Sequence, residues 1–170
     1  ALVAYNALAG QACDTDLTGQ DLGGLTLTPG VYCFSSSVGL TGDLTLDAEG
    51  DPAAVWVFQI GSTLTTASAS SVRLVNGASA CNVFWQVGSS ATLGTGTDFA
   101  GNILALASDT LTTGVNVSGR VIALNGAVTM DSNTISGCTG TSPTLTPVDT
   151  PVNTPVNTPV NTPVNTPVNT

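Results

Sequence analysis

Ser90-Ala-Thr-Leu-Gly-Thr-Gly-Thr-Asp-Phe-Ala-Gly-Asn-Ile-Leu-Ala-Leu-Ala107 is followed without a gap by Ser108-Asp-Thr-Leu-Thr-Thr-Gly-Val-Asn-Val-Ser-Gly-Arg-Val-Ile-Ala-Leu-Asn125. Ser90, Thr92, Leu93, Thr95, Gly96, Gly101, Ala105 and Leu106 recur 18 residues later as Ser108, Thr110, Leu111, Thr113, Gly114, Gly119, Ala123 and Leu124. A fixed period near twenty residues marks stacked units that cannot bury their apolar faces alone. Within each unit the apolar positions alternate, as in Thr110-Leu111-Thr112 and Val115-Asn116-Val117, and Gly or Ser bounds the runs. That is the pattern of short strands separated by turns. The predicted fold is all-β, a β-solenoid of roughly triangular section with three strands per coil.

Weaker copies extend the repeat. Phe58-Gln59-Ile60-Gly61-Ser62 leads into Thr63-Leu64-Thr65-Thr66 much as Trp85-Gln86-Val87-Gly88-Ser89 leads towards Thr92-Leu93-Gly94-Thr95. The Thr-bearing strand returns at Leu25-Thr26-Leu27-Thr28, Leu44-Thr45-Leu46 and Val128-Thr129-Met130. About six coils or part-coils are expected on this reading.

With 170 residues, 42% of them hydrophobic, the chain holds one folded domain and a tail. Only 8% of residues are charged and the net charge is −9, with Arg73 and Arg120 the sole cations. Nucleic acid and anionic membranes need clustered Lys or Arg, so neither is expected as a partner. No stretch is long and apolar enough for a membrane-spanning helix, and no cleavable signal begins at Ala1. The four cysteines lack the C-x-x-C spacing of zinc or redox sites. An even number in so uncharged a chain favours two disulfides and an extracellular, secreted or surface location. Three pairings are formally possible. The favoured one joins Cys13 to Cys33, pinning the N-terminal segment to the first coil, and Cys81 to Cys138, closing the last.

Three segments follow. Residues 1–12 read as the end of a flanking helix, with Leu2, Val3, Tyr5 and Leu8 at helical offsets and Gly10 suited to a C-terminal cap. The pattern starts without an N-cap, which leads us to expect more helix upstream. Residues 13–140 form the solenoid. Residues 141–170 carry the repeat Thr-Pro-Val-Asn, whose prolines forbid helix and leave polyproline II as the accessible form. At about 3.1 Å per residue, such a stalk from Pro143 reaches roughly 85 Å. Threonine beside proline is the composition of O-glycosylated stalks, making Thr146, Thr150, Thr154, Thr158, Thr162 and Thr166 candidate glycan sites.

Chemistry is sparse. The chain has no histidine, which removes the usual general base, the Ser-His pair and the commonest metal ligand, so an enzyme is not expected. Asp43, Asp47, Glu49 and Asp51 gather around one turn but lack the ligand spacing of a calcium loop; they read as a solvated acidic turn, with no metal and no cofactor expected. Asn116-Val117-Ser118 is an N-glycosylation sequon whose Asn points outward between two inward valines. Asp98 and Arg120 are expected to pair across neighbouring coils.

The outward threonines form the larger set. If Leu25, Leu27, Leu44, Leu46, Leu64, Leu93 and Leu111 face the core, then Thr26, Thr45, Thr63, Thr65, Thr92, Thr110, Thr112 and Thr129 face water. Coils stacked at about 4.8 Å would set these side chains in ranks on a rigid, nearly uncharged sheet.

Asp21-Leu-Gly-Gly-Leu-Thr-Leu-Thr-Pro-Gly-Val-Tyr32, Val55-Trp-Val-Phe-Gln-Ile60, Asn82-Val-Phe-Trp-Gln-Val87, Gly101-Asn-Ile-Leu104 and Val117-Ser-Gly-Arg120 closely resemble the β-solenoid ice-binding proteins of bacteria, fungi and diatoms. The resemblance spans roughly Leu2 to Ser136. It implies a discontinuous triangular β-helix with a helix along one side, secretion or surface display, no cofactor, and ice as the partner of a Thr-rich face. The eight threonines above are then the candidate ice-binding residues. Members usually carry strands and most of the long helix before the position of Ala1. Either the chain is an excerpt or its solenoid lacks coils that another chain supplies. Two functions follow: an ice-binding domain on a glycosylated stalk, or a subunit of a glycosylated extracellular filament joined to other copies by strand or coil complementation.

Overall fold

The computed structural model describes residues 1–138. One helix, α1 (Leu2–Ala9), precedes the strands β1 (Thr15–Asp16), β2 (Thr26–Leu27), β3 (Gly30–Phe34), β4 (Val38–Leu40) and β5 (Asp43–Asp47). The path continues through β6 (Trp56–Ile60), β7 (Leu64–Thr66), β8 (Ser71–Val75), β9 (Val83–Val87) and β10 (Ala91–Leu93). It ends with β11 (Asp98–Ala105), β12 (Asp109–Leu111), β13 (Asn116–Ala123), β14 (Val128–Met130) and β15 (Thr134–Ser136).

Every strand pairing is parallel, and successive strands on a side are successive turns of one spiral. Three ladders result. A helix-covered side stacks β1, β3, β6, β9 and the C-terminal halves of β11 and β13. A five-stranded side stacks β4, β7, β10, β12 and β14. The third side stacks β2, β5, β8, the N-terminal halves of β11 and β13, and β15. Because β11 and β13 each bend round a corner, they join the first and third sides into one hydrogen-bonded sheet.

The register explains why only two repeats align without gaps. On the five-stranded side, Val38, Leu64, Ala91, Asp109 and Val128 are stacked equivalents. The coils opening at Val38 and Leu64 are each longer by an extra loop between the third and helix-covered sides, residues 48–55 and 76–82. The later coils turn that corner inside a continuous strand at Gly101 or Gly119, where φ is +118° and +149°. These positions need glycine for space as well as for backbone freedom. A Cβ on Gly101 would stand 2.6 Å from Trp85 Nε1, and one on Gly119 would overlap the Gly101 carbonyl.

Inward side chains fill the prism. Leu93 and Leu111 are register partners and both fully buried, and Leu22, Leu40, Leu44, Leu46 and Leu64 join them. Tyr32, Phe58 and Trp85 stack rung upon rung on the helix-covered side, with Phe58 and Trp85 centroids 3.9 Å apart. Leu25 and Leu27 pack against this core half-buried. Helix α1 buries Tyr5 and Leu8 over Val57 and Leu104, while Leu2 and Val3 stay exposed. Gln59 Nε2 donates to the Leu8 and Gln11 carbonyls at 2.7 and 2.9 Å, holding the helix's C-terminal end to the solenoid. Gly10 occupies the C-cap with φ −88°, so its freedom to adopt positive φ is not used.

Cys13 is bonded to Cys33 and Cys81 to Cys138. The expected Asp98–Arg120 pair is not formed. Although both residues face outward, register puts Asp98 opposite Asn116 and Arg120 opposite Asn102, four positions apart along the strands. Asn116 donates to Asp98 at 2.8 Å and Arg120 to Asn102 at 3.3 Å. Arg73 instead pairs with Asp43, at 2.9 Å.

One inward residue departs from the apolar pattern. Asp109 occupies the row of Val38, Leu64, Ala91 and Val128, is 1% exposed, and has no hydrogen-bond partner among the described residues on either carboxylate oxygen. Burial pushes its pKa up to about 6. The Thr66 and Thr97 hydroxyls, also internal, pair with each other at 2.9 Å, and Ser70 donates to the Leu40 carbonyl at 2.9 Å.

Two predictions follow from the packing. Gly101→Ala should lower stability by about 3 kcal/mol or more, read as a drop in thermal midpoint, because the new Cβ meets the buried Trp85 ring and the backbone conformation is strained. The Asp109 carboxyl has a raised pKa, so the stability it permits is fully present below its unfolded value near 3.8 and is lost as pH rises from there through about 6. Asp43 and Asp47 are lowered, by the Ser71 hydroxyl then Arg73 and by the Glu49 amide then Asn76, and their contribution is lost in acid below their unfolded value near 3.8. Thermal midpoints should therefore be highest near pH 4, fall as the pH rises towards about 6 and level off above it. Asp109→Asn should flatten the alkaline decline while leaving the acid limb in place.

Candidate functional site

Alternation along a strand decides which side chains point out, and the coil register decides which of three sides they point from. The candidate threonines divide accordingly. Thr26 and Thr45 are register partners on the third side, beneath Arg73. That side also bears Asp43, Asp47 and Asp98, so it is a charged surface. The other six lie on or beside strands of the five-stranded side.

There, Thr65, Thr92, Thr110 and Thr129 are direct register partners, one per coil, with Gly39 continuing the row. The spacing between neighbours is that of adjacent strands, about 4.8 Å. Thr63 belongs to a parallel row two residues earlier, which also holds Ser37, Ser90 and Ser108. Thr63 Oγ1 donates to Ser37 Oγ at 2.8 Å, and the Ser108 amide donates to Ser90 Oγ at 3.3 Å. Thr112 sits at the other margin, half-buried. Its hydroxyl donates to the Leu93 carbonyl at 2.8 Å and lies 3.3 Å from that of Thr95. The outer surface of this side is thus three rows of small residues, most of them bearing a hydroxyl or a methyl and glycine at positions such as 39 and 94, with Asp21 beyond one end and Asp131 at the other.

The serine row was not among the sequence candidates. Its signal was present, since Ser90 and Ser108 are equivalent positions of the gapless repeat.

The helix-covered side is occupied by α1 along Val31, Val57, Phe84 and Leu104. The acidic turn spends its oxygens locally: Asp47 accepts from the Glu49 amide and Asn76, and Asp51 from the Ala53 amide, each at 2.8 Å. Among the described residues no group of three or more His, Cys, Asp or Glu is placed to hold a metal ion. Asn116 of the sequon is exposed on the third side, between buried Val115 and Val117. The stalk and the glycan candidates Thr146 to Thr166 lie outside the described residues.

Comparison with known proteins places this geometry. Residues 1–136 match the family model for ice-binding-like proteins. An ice-binding protein of Nostoc sp. (strain HG1) is 68% identical over 141 residues, covering 82% of this chain and 52% of that one. Ice-binding protein 1 of Shewanella frigidimarina is 42% identical over 139 residues, 79% of this chain but 16% of its own length. The chain therefore spans about half of the first relative and a small part of the second. Among solved structures, the ice-binding protein of the Antarctic ascomycete Antarctomyces psychrotrophicus superposes with a TM-score of 0.80 at 46% identity, covering 82% of this chain and 68% of that one. With the solenoid, its flanking helix and most of its length matched, the chain belongs to the ice-binding-like family.

Proposed function

We propose that this domain adsorbs to ice through the outer surface of its five-stranded side, with no catalytic chemistry. The observation that carries the reading is the in-register row Thr65, Thr92, Thr110 and Thr129, flanked by the Ser37, Thr63, Ser90 and Ser108 row on a surface without charge between its ends. Threonine presents a methyl and a hydroxyl together. Held by parallel strands, these groups repeat at about 4.8 Å in one direction and about 6.6 Å in the other. A rigid array of that kind orders water without paying side-chain entropy at contact, since β-branched residues have little rotamer freedom to lose. Ordered water on the face can then merge with a growing crystal surface. Charged groups would hold water in a competing arrangement, and the third side carries them.

The relatives named above as ice-binding proteins support the ligand, and the two disulfides fit an oxidising, extracellular setting. A sugar on Asn116 would leave the proposed surface free, because that residue lies on the third side. We assign the stalk of residues 141–170 the role of an O-glycosylated spacer that holds the domain away from its attachment.

The filament reading needs both ends of the solenoid open. At the N-terminal end Leu22 is completely buried, and Asp14, Asp16 and Asp21 accept backbone amides there, which disfavours open-ended head-to-tail growth.

Thr92→Tyr or Thr110→Tyr should abolish inhibition of ice recrystallisation with an unchanged far-ultraviolet spectrum, since a ring in the central row lifts the surface off the crystal. Thr45→Tyr, on the third side, should leave inhibition within about twofold of the parent. Equal loss in both classes, or no inhibition by the folded parent, would remove the five-stranded side from the mechanism.

A further inference from the structure

Beyond Thr65 the central threonine row runs into a carboxylate. Gly39 is the register partner of Thr65. One rung further on, the Leu22 amide donates to the Gly39 carbonyl at 2.9 Å, and Leu22 is inward and fully buried, as Leu40 is. Parallel pairing of Leu22 with Leu40 makes Asp21 the outward neighbour of Gly39. In an unbroken ladder the Thr41 amide would donate to the Leu22 carbonyl; here it donates to Asp21 Oδ1 instead, at 2.9 Å. Oδ1 also accepts from the Gly23 amide at 2.7 Å, and Oδ2 from the Thr41 hydroxyl at 3.0 Å.

These bonds fold the Asp21 side chain over Gly39. A Cβ on Gly39 would stand 2.8 Å from Asp21 Oδ2, while its next contacts, at 3.9 and 4.0 Å, are ordinary ones. The carboxylate therefore fills the space that a threonine side chain would take in this rung. Gly39 is not at positive φ, so its backbone would accept a threonine once that space were cleared.

We propose that Asp21 sets the length of the ice-binding surface by fixing a negative charge in the lattice position next to Thr65. This rests on the ice reading and deepens it, naming the residue that limits how many rungs engage the crystal. A carboxylate gives up its hydration only at high cost. Water around it is arranged by two charged oxygens and not by the repeat of the rows, so ordered water shared by the rungs from Thr65 onwards ends there. Burial pulls the Asp21 carboxyl upward, but the Gly23 and Thr41 amides and the Thr41 hydroxyl outweigh it and hold the group below its ordinary value. It is ionised at neutral pH. The other positions of the central row among the described residues, Gly39, Thr65, Thr92, Thr110 and Thr129, carry no charge.

A charge that limits the surface predicts a gain of activity on its removal, which damage to the fold does not produce. The readout is the concentration of the 170-residue chain that half-inhibits ice recrystallisation, with the far-ultraviolet spectrum as the check on folding. Asp21→Asn keeps the shape and an acceptor for the two amides, and should act at a concentration at least about threefold below that of the parent. Asp21→Glu, which keeps the charge, should show no gain. The double variant Asp21→Ala, Gly39→Thr clears the position and adds a fifth threonine to the row, and should gain at least as much as Asp21→Asn. Gly39→Thr alone drives a side chain against the carboxylate and should lower the thermal midpoint without a gain. An active parent with no gain in a folded Asp21→Asn or double variant, or an equal gain in Asp21→Glu or in Gly39→Thr alone, would overturn the proposal and leave the ice reading standing. A folded parent without inhibition would remove both.

Discussion

The parallel hydrogen-bond ladder between one coil and the next is the constraint on which everything else in this molecule depends. Each turn of the chain is too small to enclose a core, and only the turn above and the turn below bury its leucines. Because the ladder pairs residues one to one, whatever stands outward in one coil stands over its equivalent in the next. The same constraint that stacks Leu93 on Leu111 inside therefore aligns Thr92 with Thr110 outside. Stability and surface order have a single origin here.

That origin also explains where strain and irregularity are tolerated. A coil can take up extra residues only at a corner, and the longer coils do so at one corner alone, through residues 48–55 and 76–82. Where the loop is missing, a continuous strand must turn, and glycine at 101 and 119 makes the turn against a neighbouring rung with no room for a methyl group. The loops leave the five-stranded side untouched, so insertions on the far corner do not disturb its rows. The helix has a comparable role: it seals a second side whose outward residues Val57 and Phe84 would otherwise be wet.

Of the three sides, one is thus covered, one is charged and one is left as an uncharged lattice of hydroxyls and methyls. The division is physical rather than compositional. Threonine occurs on all three sides, but only where four successive coils contribute it at the same register position does it make a row. On the third side Arg73 stands in the register of Thr26 and Thr45, and the row ends.

The strand period, the inward leucines, the flanking helix and the outward sense of all eight threonines were legible in the residues themselves, because alternation and an 18-residue repeat are local properties of the chain. Which side each threonine belongs to was not, since that depends on how many residues separate equivalent corners, and two coils carry loops that the pattern alone does not place. For the same reason Asp98 and Arg120, both outward on neighbouring coils, stand four positions apart rather than side by side, and Asp109, polar in sequence, is an interior residue. Alternation says whether a side chain is in or out. Only the closed spiral, by bringing residues from different coils into register, decides what it stands beside.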